Sequence, residues 1–114
     1  MKCEPSMDDK LKQIINHYGV LPQLKYLQSE VFEFNEAVIK YETVPRGLAK
    51  NLEEHYIDDI TEEMADVFVM LFQFKEHYQI DGEQIIKIMK EKIDRQLKRI
   101  EEEKWKWQKK CLMS

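Results

Sequence analysis

Glu30-Val31-Phe32-Glu33 and Glu63-Met64-Ala65-Asp66 each set two carboxylates three residues apart, inside runs that read as amphipathic helices. On a helix such positions are neighbours on one face, separated by about 60° of rotation and ~4.5 Å of rise, so each stretch is a short acidic edge. The apolar stripe of the first run reads Leu24, Leu27, Val31, Phe34, Val38 and Tyr41, and that of the second Ile57, Ile60, Met64, Val67, Leu71 and Tyr78. Both advance in steps of three and four, the helical signature. Laying Val31 on Met64 superposes Leu27 on Ile60, Phe34 on Val67 and Val38 on Leu71, and with them Glu30 on Glu63 and Glu33 on Asp66. The two helices therefore carry their acids at the same angle to the expected core. Packed antiparallel, they would turn four carboxylates into one gap, where repulsion is severe unless a cation sits among them. A hard divalent ion such as Mg²⁺ suits an all-oxygen donor set.

The rest of the chain bounds the setting. A length of 114 residues predicts one domain, 1–114, large enough for a core and small enough to gain from a partner subunit. A charged fraction of 35% with three Gly and three Pro favours long helices over sheet. The net charge of −4 gives no general case for binding a nucleic-acid polymer. An acidic protein that handles polyanions must neutralise them locally, with metal and a few placed cations. Cys3 and Cys111 show no metal-like spacing and read as free thiols of a reducing compartment. Met1 to Lys10 lacks the apolar centre of a signal peptide, and no run approaches the length of apolar residues that spans a membrane. The expected location is cytoplasmic.

A first helix is expected over Met7 to Tyr18, capped by Ser6, with Asp8 and Asp9 in its first turn and Gly19 ending it. Pro22 suits the first turn of a second helix that runs to about Thr43. Residues 44–56 form a connector or flap: helical for a turn or two, or a loop, carrying Arg46, Lys50 and His55 either as solvated groups or as phosphate contacts. The third helix is expected from Ile57 or Asp58 to Gln79, with a middle, Met64 to Phe72, that is apolar almost all round and needs cover on several sides. This points to a homodimer or homotetramer. Asp66 is the ionisable group inside that run, costly there unless paired or metal-bound. Asp59, one turn before Glu63, is a further ligand or a supporting group. Asp81-Gly82 turns the chain into a fourth helix with the stripe Ile86, Met89, Ile93, Leu97 and Ile100, flanked by Lys92, Arg95 and Arg99. Residues 101–114 form a charged C-terminal extension.

Glu-x-x-Glu on one helix, Glu-x-x-Asp on the next, then Asp81-Gly82-Glu83 opening a helix with Lys92, Arg95 and Arg99, resembles the MazG-like all-α nucleoside triphosphate pyrophosphohydrolases over Leu24 to Ile100. The resemblance implies an all-α, four-helix bundle-like fold and an oligomer. It also implies Mg²⁺-dependent hydrolysis of nucleoside triphosphates to monophosphate and pyrophosphate, as nucleotide-pool housekeeping, with Mn²⁺ a possible substitute. Carried over residue by residue, it makes Glu30, Glu33, Glu63 and Asp66 metal ligands. Lys92, Arg95 and Arg99 become the neutralisers of triphosphate charge, with Lys92 and Glu33 acting in catalysis; Glu33 holds or deprotonates the attacking water. Apart from the resemblance, Tyr18 and Tyr26, near the start of the acidic helix, are the candidates for a base-side contact. Ser29 stands where family members often have another Glu, Lys90 replaces an Asn two residues before Lys92, and the link between the acidic pairs is long.

Other chemistries lack their residues. His17, His55 and His77 form no zinc-type pair, no Glu-x-x-His occurs for a di-iron bundle, and no Gly-rich phosphate loop or nucleophile elbow is present. Trp105 and Trp107 read as packing or interface groups. The competing class is a non-catalytic helical interaction module, whose acidic face and long charged fourth helix would serve partner binding.

Overall fold

The computed structural model describes residues 4–44 and 50–113, the side chains of 50 and 51 excepted. Among them the chain forms four α-helices: α1 (Met7–Tyr18), α2 (Val20–Thr43), α3 (Lys50–His77) and α4 (Gly82–Leu112). The Cα packing divides into two compact units, Met1–Gln79 and Ile80–Ser114. Among the described residues, no helix is long and apolar enough to cross a membrane. Cys3 and Arg46 lie outside the described residues; Cys111 is exposed.

Local chemistry sets the ends of α1. The Ser6 hydroxyl accepts a hydrogen bond from the Asp9 N–H at 3.1 Å, satisfying one of the orphan donors of the first turn. At the other end the Gly19 N–H donates to the Ile15 carbonyl at 2.8 Å, and Gly19 adopts φ +93°, a conformation that a residue with Cβ rarely takes. The same residue starts α2, so one glycine makes the corner between two helices. Pro22 follows among the first residues of α2, where a missing N–H leaves no intrahelical bond unmade. Leu11 and Ile15, one turn apart, are the buried residues of α1.

Helices α2 and α3 run antiparallel. Gln23 bonds Gln73, Glu30 meets Glu63, and Tyr41 bonds Glu53, a falling series on α3 against a rising one on α2. The third helix starts at Lys50, seven residues before the expected Ile57: after residue 49 the run Leu52-Glu53-Glu54 holds no breaker, and Tyr41–Glu53 and the Tyr41–Tyr56 ring pair tie it to α2. The apolar stripes also need correction. Residues buried on α2 are Gln23, Glu30 and Ala37, and on α3 Met70 and Gln73. Leu24 and Val31 on α2, Ile57, Met64 and Leu71 on α3, and Tyr78 just after it are exposed, while Leu27, Phe34, Ile60 and Val67 are half-buried. The helix–helix seam is thus rotated toward the acids, and the most apolar positions stand beside it on the surface of the first unit.

In the second unit, the Asp81 carboxylate caps α4 by accepting from the Glu83 N–H at 3.0 Å. The helix continues through the C-terminal extension as far as Leu112 and buries none of its residues. Lys109 stands over the Trp105 ring at 5.1 Å, a cation–π contact within that extension.

Candidate metal centre

Seven residues separate Gln23 from Glu30 and Glu30 from Ala37, two helical turns each, so all three fall on one face of α2, and that face meets α3. Glu30 is thereby carried into the seam, where it is only 7% exposed. Glu33, one turn on, reaches the rim and is exposed; Glu63 comes across from α3 and is half-buried. One carboxylate oxygen from each of Glu30, Glu33 and Glu63 lies within 4.8 Å of the others.

The electrostatics of this trio are unbalanced. Glu30 Oε2 and Glu63 Oε2 are buried and have no hydrogen-bond partner. The ion pairs found among the described residues, His55–Asp59 and Lys75–Glu76, include none of the three. Burial pushes the Glu30 carboxyl above its ordinary value, and the negative charges of Glu33, Asp66 and Glu63 push it further. Glu63 is raised likewise, by desolvation first and then by Glu33 and Asp66. Such a cluster, ionised, requires either protons or a cation. The donors are carboxylate oxygens alone, the set that Mg²⁺ and Mn²⁺ accept. Partnerless buried oxygens on two of the three residues fit that role.

Beside the trio lies a groove of about 340 Å³ lined by Glu33, Glu36, Ala37, Lys40, Tyr56, Asp59 and Glu63. Glu33 and Glu63 belong to both, so the groove opens directly onto the carboxylates. Tyr56 packs near Tyr41, ring centroids 6.3 Å apart, and the Tyr41 hydroxyl donates to Glu53 at 3.0 Å. The groove lining is mainly acidic, with Lys40 as its cation and Tyr56 as its aromatic group.

Of the residues singled out in the sequence, Glu30, Glu33 and Glu63 come together. Asp66 is exposed and stands outside the trio, although its charge is felt at Glu30 and Glu63. The apolar run around it does not enclose it, because Val67 and Met70 turn inward while Asp66 reaches the rim. Asp59 lines the groove. Tyr26, one turn before Glu30, is exposed and does not line it. Lys92, Arg95 and Arg99 are exposed along α4, in the second unit. Glu36, Lys40 and Tyr56 were not anticipated as lining residues. For the first two the signal was available: they follow Glu33 at three and seven residues, the spacing of one helix face. No protein family, curated protein or solved structure matches this chain significantly.

Proposed function

We propose that the chain is a Mg²⁺-dependent nucleoside triphosphate pyrophosphohydrolase of the MazG-like kind, acting in the cytoplasm. The observation that carries this reading is the buried, partnerless carboxylate oxygen of Glu30 beside Glu33 and Glu63, a charge arrangement that a divalent ion stabilises. Glu30, Glu33 and Glu63, with Asp66 at the rim, are the residues that would hold it. The ion supplies charge neutralisation for phosphate oxygens and a lowered pKa for water. Glu33, exposed and shared with the groove, is the group suited to orient the attacking water and take its proton. Water oxygen then bonds to the α-phosphorus, the bridging α–β P–O bond breaks, and pyrophosphate leaves with its electron pair. Lys92, Arg95 and Arg99 are assigned to the negative charge of the triphosphate. Tyr26 remains the proposed base-side contact; Lys40 and Tyr56 line the groove that opens on the carboxylates and would meet a different part of the substrate.

The assay is a panel of ribo-, deoxyribo- and modified triphosphates with Mg²⁺ or Mn²⁺, scored for pyrophosphate against orthophosphate. Pyrophosphate with monophosphate is the expected product pair; orthophosphate as the first product would overturn the point of attack.

The reading includes a homodimer or homotetramer. Its support is the exposed apolar surface of α2 and α3, which includes Leu24, Val31, Met64, Phe68 and Leu71. Sedimentation velocity at micromolar protein should give a mass of at least two chains, and a clean monomer sinks the claim. The exposed apolar stripe of α4, Ile86, Met89, Ile93, Leu97 and Ile100, also favours a second reading, a non-catalytic helical interaction module. That module would show neither turnover nor a response to Mg²⁺.

A further inference from the structure

Two glutamines hold a place in the seam that apolar side chains would ordinarily fill. Gln23 is 7% exposed and Gln73 1%. The Gln23 Nε2 donates to the Gln73 Oε1 at 2.7 Å, joining α2 to α3 across fifty residues of sequence. The Gln73 Nε2 in turn faces the Met70 Sδ at 3.6 Å, which orients the amide so that its oxygen meets Gln23. Among the described residues this is the buried side-chain hydrogen bond between these two helices; Tyr41–Glu53, at the opposite end of the pair, is exposed.

The position of the bond matters because of what lies two turns away. Gln23 precedes Glu30 by seven residues and shares its face. Packed helices can shift past each other by one turn, since their ridges and grooves repeat along the axis. One turn is ~5.4 Å, more than the span within which the three carboxylate oxygens now fall. Their mutual repulsion, before any cation arrives, favours such a slide. A pair of buried amides resists it, because water cannot reach either group to replace the lost bond. Single buried polar pairs set helix register in this way in coiled coils.

We propose that the Gln23–Gln73 hydrogen bond is a register lock that keeps the acidic edges of α2 and α3 opposite each other in the metal-free protein. Both glutamines are positioning residues. The lock itself rests on the α2–α3 geometry and stands apart from the proposed reaction; only its consequence for Mg²⁺ binding shares that reading.

The test uses spin labels at two exposed positions offset along the hairpin, Gln28→Cys and Thr61→Cys, in the full chain with Cys3→Ser and Cys111→Ser. The parent should give one narrow distance distribution without metal. Adding Gln23→Leu with Gln73→Leu should broaden or shift it, while helical content stays and the metal-free melting temperature does not fall, since both polar partners leave together. The Mg²⁺ dissociation constant of this pair variant, measured by calorimetry, should rise about tenfold. A distribution as narrow as the parent's, at the parent's distance, overturns the lock. Should the pair variant fail to fold, Gln23→Met, close in length, is read the same way, and an unchanged distribution there also overturns it. A parent chain that binds no Mg²⁺ sinks the proposed function and leaves the distances to decide the lock.

Discussion

Glu30→Gln is expected to abolish triphosphate hydrolysis, by at least ~100-fold in kcat/KM, while making the metal-free protein more stable at pH 7. Loss of activity follows from removing a metal ligand, which costs at least what a supporting residue costs. Gain of stability follows from removing a buried charge that lacks a partner and faces Glu33 and Glu63. The gain should be ~1–2 kcal/mol, seen as a rise of at least about 4 °C in Tm with chelator present. Its pH dependence has a definite sign. Glu30 and Glu63 have folded-state pKa values raised above the ordinary 4.5, so the fold favours their protonated forms. Their contribution to stability is complete below that ordinary value and is lost as pH rises through the raised ones. The Tm advantage of Glu30→Gln over wild type should therefore be small near pH 4 and grow toward pH 7. With saturating Mg²⁺ the order should reverse, because wild type then gains the ion. A Glu30→Gln protein less stable than wild type in chelator at pH 7 would show that the carboxylate already has a partner, and the metal centre would lose its main support.

Mg²⁺ should raise the melting temperature of wild type on the order of 10 °C when present at about 100 times its dissociation constant. Binding to the folded chain alone adds ~2.7 kcal/mol at that excess. Mn²⁺ should act similarly, and a monovalent salt of equal ionic strength should do much less, because screening reaches buried charges poorly. Glu63→Gln should lose most of the rise. Asp66→Asn should lose less, since Asp66 is exposed at the rim and acts on the trio through its charge. No rise in wild type, or an equal rise in Glu63→Gln and Asp66→Asn, favours the interaction module.

The parts of this protein that short-range chemistry decides are legible from its residues. Ser6 and Gly19 bracket α1 as capping physics requires, and Asp81 caps α4. The all-helical class follows from scarce glycine and proline and from stripes in steps of three and four. Spacing alone also marks Glu30, Glu33 and Glu63 as acids on helix faces. Residues 50–56 were harder: nothing in them forbids a helix or compels one, and their tie to α2 runs through Tyr41, far away in sequence.

Hydrophobicity misplaced the seam. Val31 and Met64 are the more apolar choices, yet they are exposed on the first unit, and Glu30 occupies the seam instead. Gln23 and Gln73 gave no warning at all, because glutamine on a helix ordinarily means solvent. Each is explained by the other.

Sequence by itself determined which segments outside residues 50–56 are helices, where α1 and α4 begin, and that acids recur at one-turn spacing on two of the helices. Those are properties of a residue and its near neighbours. Tertiary structure decided which face of α2 meets which face of α3, that a buried oxygen of Glu30 has no hydrogen-bond partner, and that two glutamines are paired. Burial and hydrogen bonding at such positions depend on groups thirty to fifty residues away, and only packing brings those groups within range.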